Sequence, residues 1–307
     1  MEERNVKGAR ALRSDGHQAK GLTVPRGSRP GTLLLTAVAM IALAANPLLC
    51  RAALGARLID AASFATVRVV SGALILFLIV APRWRRQGRS PVDGRAVIML
   101  FAYVAFFSFA YLSLSVGTGA LLLFGAVQLT MFATALRSGE HFPRWSWFGL
   151  AVAVAGMIYL VSPGITAPDP LGAALMVIAG IAWGVYSLLG RRAASPLEDT
   201  ANNFIFAVPL VVAVSLIFAH GTHVTSRGVM LAAVSGALPS GLGYVIWYAA
   251  LRGLKATSAA TVQLSVPAIA AIGGVLLIAE PVTLRLVVAS VATLGGIAIV
   301  FAQRAKP

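Results

Sequence analysis

The apolar runs constrain this chain most. About every twenty-five to thirty residues, a stretch long enough to cross the hydrocarbon of a bilayer (about 20 residues) lies between short clusters of Lys, Arg, Pro and Gly. Ten such stretches are expected, at 32–50, 62–81, 96–114, 118–137, 144–162, 171–190, 202–219, 228–251, 256–279 and 282–302. They are continuously apolar and do not alternate, which excludes a membrane β-barrel. Composition agrees: 58% of the 307 residues are hydrophobic and 11% charged, against about 25% charged in soluble domains. The fold class is therefore an all-α integral membrane protein.

The net charge of +15 would point to nucleic acid in a soluble domain. Here most Lys and Arg fall in the tail and in short loops, where they orient the chain in the membrane. With the N-terminus cytoplasmic, twenty Lys and Arg lie on the cytoplasmic side and four (Arg51, Arg57, Arg227 and Arg285) on the other. Both termini are thus expected in the cytoplasm, in a bacterial cytoplasmic membrane. Residues 1–31 read as a disordered basic cytoplasmic tail. The stretch from Thr32 to Asn46 imitates a signal peptide, but the basic region before it is too long. Cys50 is the sole cysteine, so no internal disulfide forms. His220 and His223 stand in a loop with no third ligand nearby. No metal site and no cofactor is expected, and no nucleic-acid partner.

Shifted by 140 residues, the chain lies on itself without a gap. Ile41-Ala42 meets Ile181-Ala182, and Leu48-Leu49-x-Arg51 meets Leu188-Leu189-x-Arg191. Phe64 meets Phe204, Ala110 meets Ala250, Leu114 meets Leu254, Ala120 meets Ala260, Glu140 meets Glu280 and Gly156 meets Gly296. Matches at one fixed offset that include an Arg and a Glu argue for duplication. Five segments per half is an odd number, so the second half must enter the membrane upside down. The expectation is ten helices as two inverted five-helix repeats, at 32–163 and 171–304. Inverted repeats are the architecture of many alternating-access carriers, with the solute near the midplane between the halves.

The chain resembles the EamA-like branch of the drug/metabolite transporter superfamily over roughly residues 32–304. The matching residues are Ala45-Asn46-Pro47 ending a small-residue first segment, Phe64-Ala65-Thr66-Val67-Arg68 opening the second, and Ala110-Tyr111-x-Ser113-Leu114 closing the third. In both halves a Gly/Ala-Glu pair (Gly139-Glu140, Ala279-Glu280) precedes a Gly- and Ala-rich last segment. The resemblance implies export or uptake of amino acids, metabolites or drugs. The partners are then a small-molecule solute and membrane lipids; a homodimer is compatible with this reading.

Arg68 is the costliest group to place: an Arg at a helix centre costs about 2.5–3.5 kcal/mol by insertion scales. Two turns into its segment, it either snorkels to the interface or joins a structural pair, or it meets an anionic solute. Glu140 and Glu280 each precede a helix beside Pro143 or Pro281, where a carboxylate faces free N–H groups and the positive end of the helix dipole; they read as helix caps. Asp60, Asp93, Asp169, Glu198 and Asp199 read as loop residues. No acid is expected deep in a helix, so no proton carrier stands out.

Uncharged polar and aromatic residues are the candidates to line a solute cavity. They are Asn46 before Pro47, its repeat counterpart Tyr186 in the run from Trp183, Tyr111, Gln128 and Gln263 in mid-segment, and Tyr244, Trp247 and Tyr248 in segment 8. The alternatives are interfacial anchoring for the aromatics and helix–helix hydrogen bonds for the amides. Pro209, Pro239 and Pro267 should bend their helices. The function expected is a secondary transporter and not an enzyme. An integral membrane enzyme acting on a lipid-soluble substrate would want clustered acids or histidines, and a channel a continuous pore.

Overall fold

A computed structural model describes residues 29–191, 195–251, 253–254 and 261–304. Most of the tail expected to be disordered lies outside the described residues, as does the start of segment 9. The helices are α1 (Arg29–Gly55), α2 (Ala61–Gln87), α3 (Gly94–Ala110), α4 (Val116–Arg137), α5 (Arg144–Val161), α6 (Pro170–Gly190) and α7 (Pro196–Ile217). After them come α8 (Ser226–Ser235), α9 (Gly243–Leu251), α10 (Ser265–Ile278) and α11 (Leu284–Arg304). A π-helical segment, Gly236–Leu242, joins α8 to α9, so that Ser226–Leu251 forms one span. Among the described residues, nine helical spans are long and apolar enough to cross a bilayer, and α3 is a shorter apolar helix of 17 residues. The protein is a multi-pass membrane protein.

Polar caps set the helix starts. Asp60, Asp93, Ser115, Asp169 and Thr225 are N-caps whose side chains accept from backbone N–H groups of the first turn. Such a bond satisfies a donor that the helix cannot. One expectation needs correction. Glu198 and Asp199 are not loop residues: α7 begins at Pro196, and both acids lie in its first turn. There the dipole favours negative charge, and Pro at the first position has no N–H to lose. Of the three prolines, Pro209 lies inside α7 and Pro239 inside the π segment. Pro267 is the third residue of α10, following a turn at Leu264.

The most extensive helix pairings are α5 with α11, α3 with α6, α2 with α7 and α4 with α6; α1 packs on α8, α9 and α10, and α4 on α10. Small residues allow the close approaches. A Cβ on Gly156 would stand 2.7 Å from Thr293 Oγ1 and 2.8 Å from the Ala292 methyl, so α5 and α11 touch nearly backbone to backbone. A Cβ on Gly236 would run into the Arg68 carbonyl and the Ser71 hydroxyl; only glycine lets the π segment lie on α2. The α1–α2 and α7–α8 loops are tied by an antiparallel bridge between Ile59 and Val224, and the Asp60 N–H donates to the His223 carbonyl at 2.8 Å. The Arg285 guanidinium of α11 donates to the carbonyls of Leu160, Ser162 and Pro163, supplying positive charge where the α5 dipole is negative.

Candidate solute site

A narrow cavity between the helices is lined by Leu43, Asn46 and Pro47 of α1, Tyr103 and Phe107 of α3, and Leu123 and Phe124 of α4. Trp183 of α6, Tyr244 of α9 and Gln263 complete it. It is mostly apolar with a few convergent polar groups, the usual make-up of a small-molecule site.

Proline explains the polar end. Pro239 has no N–H to give, and the helix widens there to a π turn; such turns recur at functional sites. The widened turn carries Ser240, whose hydroxyl reaches the Ser235 carbonyl at 3.0 Å and Asn46 Oδ1 at 3.4 Å. The Ser235 hydroxyl donates to the same Asn46 oxygen at 2.8 Å. Asn46 thereby holds α1 against the π segment while its side chain faces the cavity.

Arg68 does not snorkel. Its side chain is 1% exposed and points into the bundle. Nε donates to Ser240 Oγ at 3.3 Å and Nη2 to Tyr103 Oη at 3.0 Å. The guanidinium carbon stands 4.9 Å from the Phe107 ring centre and 5.3 Å from that of Tyr103, within cation–π range. Nη1 is buried without a hydrogen-bond partner. Arg68 thus sits behind the wall formed by Tyr103 and Phe107.

The aromatic rings form one continuous column. Trp183 stacks on Tyr244 with centres 5.5 Å apart and lies 4.7 Å from Tyr103 and 5.4 Å from Tyr186. Phe107 bridges Tyr103, at 5.4 Å, and Tyr111, at 4.8 Å.

The candidates read from sequence divide. Asn46, Trp183, Tyr244 and Gln263 line the cavity; Arg68, Tyr111, Gln128, Tyr186, Trp247 and Tyr248 do not. Tyr186 lies below Trp183 and accepts from Asn203 Nδ2 at 3.5 Å; the Tyr248 hydroxyl pairs with Thr200 at 3.2 Å. Trp247 is half-buried against the core. Gln128 is buried in α4, and its Nε2 has no hydrogen-bond partner. Tyr103, Phe107, Ser235 and Ser240 were missed. A signal existed for two of them, since Tyr103, Phe107 and Tyr111 recur every four residues on one face of α3.

Tyr111 belongs to a second cluster, a helical turn or more beyond the cavity. Arg51 Nε and Glu280 Oε1 form an ion pair at 3.2 Å, and Arg51 Nη1 donates to the Tyr111 carbonyl at 3.2 Å. The other oxygen, Glu280 Oε2, accepts from the Val116 N–H at 2.8 Å. Glu280 therefore caps α4, not the helix that follows it in sequence. Glu140 is exposed, and α5 starts from Pro143 with no side-chain cap bond from that residue.

Residues 170–302 match the EamA-like transporter family. An uncharacterized protein of Pseudomonas aeruginosa is 47% identical over 275 residues, covering 89% of this chain and 95% of its own length. The threonine/homoserine exporter RhtA of Salmonella typhimurium is 28% identical over 240 residues, 74% of this chain and 77% of its own. A solved crystal structure aligns with 90% of this chain and 99% of its own at 20% identity, with a TM-score of 0.62; that likeness concerns the fold alone.

Proposed function

We propose that this chain, which belongs to the EamA-like transporter family and is a membrane solute transporter, carries small organic solutes by alternating access, amino acids among them. The membrane is a bacterial cytoplasmic membrane, and the strong bias of Lys and Arg to one side of the spans supports cytoplasmic termini.

The observation that carries the reading is the composition of the cavity wall. Leu43 and Trp183 both line it, and so do Leu123 and Gln263; each pair is separated by the 140 residues that superpose the two halves of the sequence. A cavity on the axis relating two inverted repeats is what alternating access needs, because rocking one half against the other opens it to each side in turn. The helix pairings support the same arrangement. Exchanging α1–α5 for their counterparts turns the α3–α6 packing into that of α8 and α9 on α1. The same exchange turns α4–α6 into α10–α1 and leaves α2–α7, α4–α10 and α5–α11 unchanged. All of these pairings are present. The amino-acid part of the reading is supported by likeness to a threonine/homoserine exporter.

Counterflow in proteoliposomes loaded with a mixed pool of amino acids and related metabolites tests the proposal. Saturable, trans-stimulated exchange of at least one solute is expected. A flux that never saturates would indicate a channel. No exchange across a broad pool by protein shown to be folded would overturn the carrier reading.

A further inference from the structure

We infer that the solute carries a single carboxylate and that Arg68 supplies its countercharge; the inference rests on the carrier reading above.

Arg68 is fully buried, and the groups that face it are Tyr103, Phe107, Ser240, Tyr244 and Cys50. None is an acid. The ion pair of Arg51 with Glu280 lies in the cluster beyond the cavity and does not reach Arg68. A guanidinium keeps its proton in proteins, and a buried charge is tolerated when paired. Here no acid faces it, and two of the five donors, both on Nη1, have nothing to bond. Three residues fix the position of the charge, and all three belong to or bond with the cavity wall: Tyr103 and Phe107 line it, and Ser240 links Arg68 to Asn46.

The number of charges narrows the class. One uncompensated cation is neutralised by one negative charge. A phosphate monoester dianion would leave the site net negative, with no second cation in contact. Apart from the amides of Asn46 and Gln263, the wall in front of Arg68 is aromatic and aliphatic, with Tyr103, Phe107, Trp183 and Tyr244 presenting rings. Ring faces accept an alkyl or aryl body and also attract an ammonium group. The class is therefore a monocarboxylate with an apolar or aromatic body, including a zwitterionic amino acid.

The test compares acids with their neutralised analogues in the wild-type protein. Proteoliposomes are loaded with L-phenylalanine, L-leucine or L-threonine, with the corresponding amino amides, or with phenylpyruvate, and counterflow is measured. At least one carboxylate should exchange saturably, and its amide should exchange at least tenfold more weakly. Arg68→Gln should abolish this discrimination by lowering acid exchange tenfold or more, while Arg68→Lys restores part of it. Amides that exchange as well as acids would overturn the inference and leave the carrier reading standing. Thermal stabilisation of the purified protein by chloride or inorganic phosphate as strong as by the acids would overturn it too. Because the acid–amide comparison uses wild-type protein, it decides the carboxylate requirement even where Arg68→Gln fails to fold. Arg68→Lys, which keeps the charge, then tests the residue: discrimination by a folded Arg68→Lys protein equal to wild type in strength and rate would overturn the role of the guanidinium.

Discussion

Arg51 and Glu280, 229 positions apart in the chain, meet at 3.2 Å, and the same carboxylate accepts the N–H of Val116 at 2.8 Å. One acid thus joins α1, the start of α4 and the end of α10, with the Arg51 guanidinium also holding the carbonyls of Tyr111 and Leu112. Side-chain exposures of 25% and 13% mean that water screens the pair only partly.

Replacing Glu280 with Ala removes a helix cap and an ion pair together. The expected loss of stability is about 1–2 kcal/mol, read as a lower thermal midpoint in detergent. Glu280→Gln keeps an oxygen for Val116 and should lose less. Equal midpoints for wild type and Glu280→Ala would show that the contact contributes nothing.

Cys50 precedes Arg51 and is 0% exposed. A thiol with no solvent access is out of reach of a reagent, even with Arg51 and Arg68 nearby. Maleimide should leave the native protein unlabelled and label it fully in SDS. If the Arg51–Glu280 contact holds that end of the bundle shut, Glu280→Gln should speed labelling several-fold. Rapid labelling of the wild type would contradict the burial described here.

Gly236 lies where the π segment crosses α2. A methyl group there meets the Arg68 carbonyl backbone, which cannot swing aside as a side chain can. Gly236→Ala should cost about 1–3 kcal/mol as an overpacking change. An alanine variant with native expression and thermal midpoint would show that α2 gives way freely.

Ser240→Ala leaves Arg68 Nε without its partner and removes one of the two hydroxyls that donate to Asn46 Oδ1. Loss of a buried hydrogen bond to a charged group should lower stability by about 1–3 kcal/mol. Exchange should also fall several-fold, because the guanidinium loses one of its anchors. Unchanged exchange with unchanged stability would show that Tyr103 alone positions Arg68.

The spans were legible because hydropathy over about 20 residues is a property of one segment. What depends on contact between segments was not. The destination of Arg68 was undecided, since its cost at the helix centre is set by whether Tyr103, Phe107 and Ser240 arrive from α3 and the π segment. The helix capped by Glu280 could not be read from its neighbours in sequence, because the N–H it serves is 164 residues away. The start of α7 was misplaced because Glu198 and Asp199 look like loop residues, whereas the dipole of a new helix favours them in its first turn. Pro239 signalled a bend, but nothing local distinguishes a bend from a π turn.

The π turn also fixes the angular phase of everything after it. A regular helix advances 100° per residue, from 3.6 residues per turn, and a π turn accommodates one residue more than the regular ladder. Winding the same residues into a regular ladder, with none removed, would carry the extra residue forward and swing α9 about its axis by about 100°. Tyr244 would leave the stack on Trp183, and a different side of α9 would face α1. The extra residue therefore works as an indexing device, selecting which face of a nine-residue helix is turned toward the cavity.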